Sequence, residues 1–181
     1  GTPFAADYFG VVPDMLNFAK CVTNGVIPLG GVICRDAVYE AVVHTESPAH
    51  AIEFSHGYTY SGHPVACAAA VATMRLLARD KLFERAGQMG PVLGNTVHAA
   101  IRGLPNVVGI RSLGLAAAVE LSPSDKGAGQ RGYAVFLECL KHGVLVRSAG
   151  DNMVLAPAYV VETSQIEHMV DVLAQAIKRV A

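Results

Sequence analysis

Phe18-Ala19-Lys20-Cys21-Val22-Thr23-Asn24-Gly25-Val26-Ile27-Pro28-Leu29-Gly30 is the stretch on which the fold turns. Apolar Met15, Leu16 and Phe18 lead into a lysine, and a Thr23-Asn24-Gly25 turn signal follows. A strand-like run then continues to Cys34, broken by Pro28, Gly30 and Gly31. Lys20 is flanked by Phe18, Ala19, Cys21 and Val22 and has no acid within five residues. A desolvated lysine has a lowered pKa and becomes a usable nucleophile or base. That is the requirement for a Schiff-base lysine. Local composition by itself favours the plainer reading, a lysine that buries its stem and keeps its ammonium in water.

Outward from this stretch, residues 1–13 read as loop and turn. Residues 36–43 predict a short helix capped near Asp36. A loop rich in His, Gly, Ser and Tyr runs from His44 to His63. Within it, Gly57-Tyr58-Thr59-Tyr60-Ser61-Gly62 is a glycine-bracketed hydroxyl cluster ahead of a helix. Hydroxyls, backbone N–H groups and a helix N-terminus together suit a phosphate. The Gly-Lys-Ser/Thr of a P-loop is absent, and ordinary Tyr and Ser packing is the alternative. Pro64 stands where proline opens a helix, and Ala-rich residues 64–80 predict a tightly packed interior helix. Residues 83–102 predict an amphipathic helix, with Leu82, Ala86, Met89, Leu93 and Val97 at helical spacing.

After a break at 103–106, residues 107–111 and 115–121 predict strands, 131–142 a helix, and 144–147 and 154–156 further strands. Residues 164–180 predict a last amphipathic helix, capped by Thr163 or Ser164 with Glu167 reaching back. Arg147 follows Val144-Leu145-Val146 and precedes Ser148-Ala149-Gly150-Asp151. An arginine at a strand end can present its fork to a carboxylate. Locally, an ion pair with Asp151 is the more economical reading.

Composition bounds the function classes. The 181 residues carry 14 Lys+Arg and 15 Asp+Glu, a net charge of −1. Without a basic excess, nucleic-acid binding is not expected. Hydrophobic residues make up 52% and charged residues 16%, against about 25% charged in an ordinary soluble domain. The deficit is uneven: residues 1–75 hold 9 charges and residues 76–181 hold 20, with none between Glu53 and Arg75. The apolar run from Val65 to Met74 is about half the ~20 residues of a membrane span, so a buried helix is expected there and no membrane partner. The start carries no basic region followed by an apolar one. Cys21, Cys34, Cys67 and Cys139 form no C-x-x-C pair, so reduced thiols, buried in packing, and a cytoplasmic location are expected. The seven histidines, among them His50, His56 and His63, show no metal-ligand spacing. No G-x-S-x-G elbow is present.

Three groups of motifs, in this order, resemble one family. Asp7 to Asp14, Phe18-Ala19-Lys20 and Thr23 to Gly30 resemble the cofactor-lysine region of class III aminotransferases. His56-Gly57-Tyr58-Thr59-Tyr60-Ser61-Gly62-His63-Pro64 resembles their second signature. Val146-Arg147-Ser148-Ala149-Gly150-Asp151 resembles a third. Within the family, the combination is most similar to the omega-amino-acid–pyruvate (beta-alanine–pyruvate) group, from end to end.

The resemblance implies an α/β, fold-type I enzyme dependent on pyridoxal 5'-phosphate. Residues 1–82 would be the C-terminal part of its cofactor-binding large domain. Residues 83–181 would be a linking helix and the C-terminal α+β small domain. It implies that Lys20 carries the cofactor as a Schiff base and moves the proton, and that Thr59 binds the phosphate across a homodimer interface. Tyr58 would sit beside it at the substrate mouth, and Arg147 would grip substrate carboxylates and swing away for uncharged amines. The activity implied is transfer of an amino group from an omega-amino acid or amine to pyruvate. Two departures stand out. Ala156-Pro157-Ala158 replaces a frequent Pro-Pro pair. The family's phosphate loop, ring-stacking aromatic and pyridine-facing Asp have no counterpart in these residues, so a C-terminal portion of such an enzyme is expected. The alternatives are another class III aminotransferase or aminomutase, or a truncated product that is not itself an enzyme.

Overall fold

The computed structural model describes residues 1–45 and 56–180. The stretch from 46 to 55, including His50 and half of the loop expected between His44 and His63, lies outside the described residues. The chain divides into two compact units, Thr2–Lys81 and Leu82–Ala181, the latter joined by Gly1.

The first unit opens with a short helix, α1 (Ala5–Phe9), where loop was expected. It closes on Gly10 in the left-handed conformation, and the Asp7 carboxylate accepts a hydrogen bond from the Phe4 N–H. Strand β1 (Met15–Ala19) pairs antiparallel with β2 (Gly30–Cys34), Phe18 opposite Gly31. Gly31 is needed at that place, because a Cβ there would lie 2.5 Å from the Phe18 ring. A 3-10 turn, Lys20–Thr23, follows β1 directly. Helix α2 (Asp36–Thr45) starts at the acidic residue expected there. Helix α3 (Pro64–Arg79) begins on its proline, with His63 Nδ1 accepting from the Ala66 N–H.

Two expectations fail in this unit. Helix α3 buries only Ala66 and Leu77, while Val65, Val71, Met74 and Leu76 are exposed. Cys21, Cys34 and Cys67 are exposed rather than buried. Both follow from the small size of this unit: among the described residues a two-stranded sheet and three helices offer too little apolar surface to cover a helix on all sides.

The second unit holds the main core. Helix α4 (Leu82–Ile101) runs on through Pro91. Strands β3 (Val107–Leu113) and β4 (Ala116–Leu121) follow, then helix α5 (Gln130–Lys141), strands β5 (Arg147–Ala149) and β6 (Asn152–Leu155), and helix α6 (Thr163–Val180). The strands form one antiparallel sheet in the order β3-β4-β6-β5. Alternation decides which strand residues enter the core: Ala117, Val119 and Leu121 of β4, and Met153 and Leu155 of β6. Helix α4 packs on β3 and β4, α5 packs on β5 and β6, and α6 packs against both helices. Ile166, Val170, Leu173, Ala174 and Ile177 lie on the buried face of α6. Leu93, Val97, Ile101, Val135 and Cys139 meet them in the same cluster. The start of α6 differs from expectation: the Gln165 side chain, not Glu167, accepts from the Glu162 N–H. Residues 144–146 are not strand, and Arg147 opens β5 instead of ending it.

Among the described residues no helix is long and apolar enough to cross a membrane, and no group of His, Cys, Asp and Glu is placed to hold a metal ion.

Candidate active site

Lys20 is the first residue of the 3-10 turn and is exposed. Its backbone adopts φ 55°, a left-handed conformation that costs a non-glycine residue roughly 1–2 kcal/mol. Three features hold it there. The Lys20 carbonyl accepts from the Gly25 N–H at 3.3 Å, and the Cys21 carbonyl accepts from the Asn24 N–H at 3.1 Å. Asn24 and Gly25 take the positive φ values that close the turn. Beneath them Thr23 is buried, 1% exposed, and its hydroxyl donates to the Ile27 carbonyl at 2.6 Å. Helix α3 packs against this turn. The lysine is thus presented on a pinned turn with its side chain in the open.

The second candidate element lies in the same unit. Tyr58 and Thr59 are exposed on the turn that enters α3. The Tyr58 N–H donates to Ser61 Oγ at 2.9 Å, and the Tyr58 carbonyl accepts from the Ser61 N–H at 2.9 Å. This double link closes the turn under Thr59. Gly62 follows at φ 68°, and the His56 ring stands edge-on to Tyr58 with centroids 5.5 Å apart.

Arg147 belongs to the other unit. It opens β5, opposite Val154 of β6, and its side chain is exposed. It lines a pocket of about 470 Å³ together with Ser148, Gly150, Gly129, Tyr133 and Phe136. The ion pair with Asp151 is not formed. The Asp151 carboxylate instead accepts from two backbone donors, the Gly129 N–H at 2.6 Å and the Gly132 N–H at 2.9 Å. Two unsatisfied amides at a helix start satisfy a carboxylate without the side-chain ordering that a long arginine requires.

These observations leave a primary amine on a pinned turn, a hydroxyl-bearing turn before a helix, and a guanidinium at a pocket rim. The family model for class III aminotransferases matches residues 1–177, a span that contains all of them. The chain belongs to the class III aminotransferases. Members of this family are pyridoxal-phosphate-dependent transaminases.

This class III chain is 38% identical, over its whole length, to the beta-alanine–pyruvate aminotransferase of Pseudomonas aeruginosa, of which it covers 40%. It is 37% identical over 179 residues to the omega-amino acid–pyruvate aminotransferase of Pseudomonas putida, again covering 40% of that protein. An amine transaminase from an uncultivated Pseudomonas species, solved in its PLP-bound form, superposes with a TM-score of 0.89 at 30% identity. The match covers 99% of this chain and 41% of that one. The chain therefore spans about two fifths of the length of the relatives it matches.

Two contacts around the candidate residues are not legible in the sequence. Thr23 gives no sign in the sequence that its hydroxyl anchors the lysine turn. Local order pairs Asp151 with the arginine four residues away, whereas its partners are Gly132 of α5 and Gly129 just before that helix, 19 and 22 residues away.

Proposed function

We propose that the protein is the C-terminal part of a transaminase that moves an amino group from an omega-amino acid or amine to pyruvate with pyridoxal phosphate. In this reading the Thr2–Lys81 unit belongs to the cofactor-binding large domain of a fold-type I enzyme, and the Leu82–Ala181 unit is its small domain. The observation that carries the reading is the presentation of Lys20, an exposed amine at the head of a turn held in a strained conformation by a buried hydroxyl. Strain of this kind persists where the surrounding structure enforces it, and such places are often functional. The relatives named for beta-alanine, omega-amino acids and pyruvate support the substrate class.

The donor set fits the cofactor. An amine suits its aldehyde, and the Thr59 hydroxyl on a turn leading into a sixteen-residue helix suits its phosphate. Lys20 would hold the cofactor covalently through Nζ. Thr59, with Tyr58 beside it, would hold the phosphate, reaching the cofactor of a partner subunit in a homodimer. The bound group supplies an electron sink for the charge left on the substrate carbon when its proton departs. Lys20 Nζ holds and moves that proton. Arg147 binds the carboxylate of a keto acid or amino acid with its planar fork. Its exposed position at the pocket rim lets it leave when an uncharged amine is bound, which avoids an unpaired buried charge. A cytoplasmic location is part of the same proposal.

Borohydride trapping tests this reading. The complete gene product is incubated with pyridoxal phosphate, reduced and mapped by mass spectrometry. Label is expected on Lys20 and absent from Lys20→Ala. Label spread evenly over Lys81, Lys126, Lys141 and Lys178 would sink the assignment. Absence of Lys20 label in the 181-residue chain alone, with label in the complete product, would identify the isolated chain as not itself an enzyme.

A further inference from the structure

Asp151 does more than end a strand turn. Gly129, the residue just before helix α5, has no side chain to cap it, and Asp151 supplies the cap from the β5–β6 turn. Its two oxygens take the Gly129 and Gly132 amides, and an anion is favoured at that end of a helix. The fit is close at Gly132: a Cβ there would run into the Gly150 carbonyl oxygen and lie 2.9 Å from Asp151 Cα. The other side of the turn is also tied. Ser148 Oγ donates to the Gly150 carbonyl at 2.9 Å, and the Asp151 carbonyl accepts from the Leu121 N–H at 2.9 Å. The pocket that Arg147 lines has Ser148 and Gly150 on one wall and Gly129, Tyr133 and Phe136 on the other. The clamp therefore joins the two elements that line the pocket.

We infer that Asp151 is a positioning residue for substrate carboxylates: by fastening the β5–β6 turn to the first turn of α5, it holds Arg147 and its pocket wall in register. This rests on the role of Arg147 proposed above. The sign of the effect separates the clamp from simple electrostatics. Removing a negative charge near Arg147 would by Coulomb attraction alone tighten carboxylate binding. Loss of the clamp weakens it.

The experiment uses the complete enzyme with propionate, beta-alanine and benzylamine. Propionate carries a carboxylate and no amine, so its dissociation constant is read by calorimetry without turnover. In Asp151→Ala, propionate affinity and beta-alanine KM are expected to worsen about tenfold or more, the scale of effect that a small misplacement produces. Beta-alanine kcat, read at saturation, and benzylamine kcat/KM should hold within about twofold, since weaker carboxylate binding raises KM alone and an uncharged amine does not use the Arg147 fork. Asp151→Asn, which keeps one acceptor oxygen, should fall in between. Gly132→Ala, which displaces the turn and leaves the charge in place, should reproduce the shift, and benzylamine kcat/KM close to wild type shows that each variant is folded. Unchanged or tighter propionate binding in Asp151→Ala, or equal losses for beta-alanine and benzylamine, overturns the inference. Arg147→Ala is run alongside. If it too fails to separate beta-alanine from benzylamine, the carboxylate role of Arg147 falls and the inference with it. If it separates them and Asp151→Ala does not, only the clamp is refuted.

Discussion

Thr23→Val is the most direct probe of how the fold presents Lys20. Valine has nearly the shape of threonine and keeps the burial, so the substitution removes only the hydroxyl that donates to the Ile27 carbonyl at 2.6 Å. Thr23 is 1% exposed, so water cannot take the donor's place without the turn opening. Leaving a buried acceptor unsatisfied costs about 1–3 kcal/mol. The turn already bears the left-handed backbone of Lys20 at φ 55°, worth roughly 1–2 kcal/mol, so the two effects are of similar size. The expected result is local: the opening free energy of the Asn24, Gly25 and Val26 amides drops, and their hydrogen exchange speeds up about 5- to 150-fold. Those amides donate to Cys21, Lys20 and Thr23 respectively. Amides of α6, in the other unit, should not change. The assay is native-state hydrogen exchange followed by mass spectrometry or NMR. Exchange in the turn that stays at the wild-type rate, or that rises equally in α6, would refute the idea that this hydroxyl pins the lysine turn.

Two further predictions concern the second unit. Glu138 accepts from Arg179, Lys141 and His142, and the Arg179 and then Lys141 contacts hold its carboxyl at about 2, below an ordinary value of 4.5. A carboxyl lowered in the folded state stabilises the fold fully above its unfolded value and loses that contribution as pH falls toward the folded value. The melting temperatures of wild type and Glu138→Gln should therefore differ modestly at pH 7 and converge between 4.5 and about 2. Added salt should shrink the gap, since these are surface pairs; a gap that widens as the solution is acidified contradicts the account. Cys139 is buried, and burial, with the negative charge of Glu138, pushes its thiol up to about 11 from 9.0. Its thiolate fraction at pH 8 is lowered by about 100-fold, so an aromatic disulfide reagent should label Cys139 only after denaturation, and rapid labelling of this residue in the native chain would disprove its burial.

Helical spacing made the helices of the second unit legible because it reports burial directly. The apolar positions of α4 and α6 select the residues that the tertiary core then encloses. In the first unit expectation and structure part for the opposite reason. The alanine-rich run at 64–80 carries the composition of an interior helix, yet among the described residues α3 has little to pack against and leaves Val65, Val71, Met74 and Leu76 exposed. Composition records the surroundings a segment is suited to, whether or not those surroundings are within the same 181 residues. The charge-poor first 75 residues and the exposed apolar side chains of the first unit are the same fact seen twice.

The candidate site shows a similar division. Lys20, Thr59 and Arg147 are picked out as candidates by their motifs, because a chemical group must be of a given type wherever it sits. Family membership follows from those motifs and from the match over residues 1–177. What supports the groups is invisible in the linear order. The Thr23 hydroxyl acts through a carbonyl four residues on, and the Asp151 carboxylate through amides 19 and 22 residues back. Hydrogen bonds are directional and short, so a partner is decided by which backbone amide the packing of α5 on β5 and β6 brings within reach of Asp151, and not by the charge on the nearest arginine.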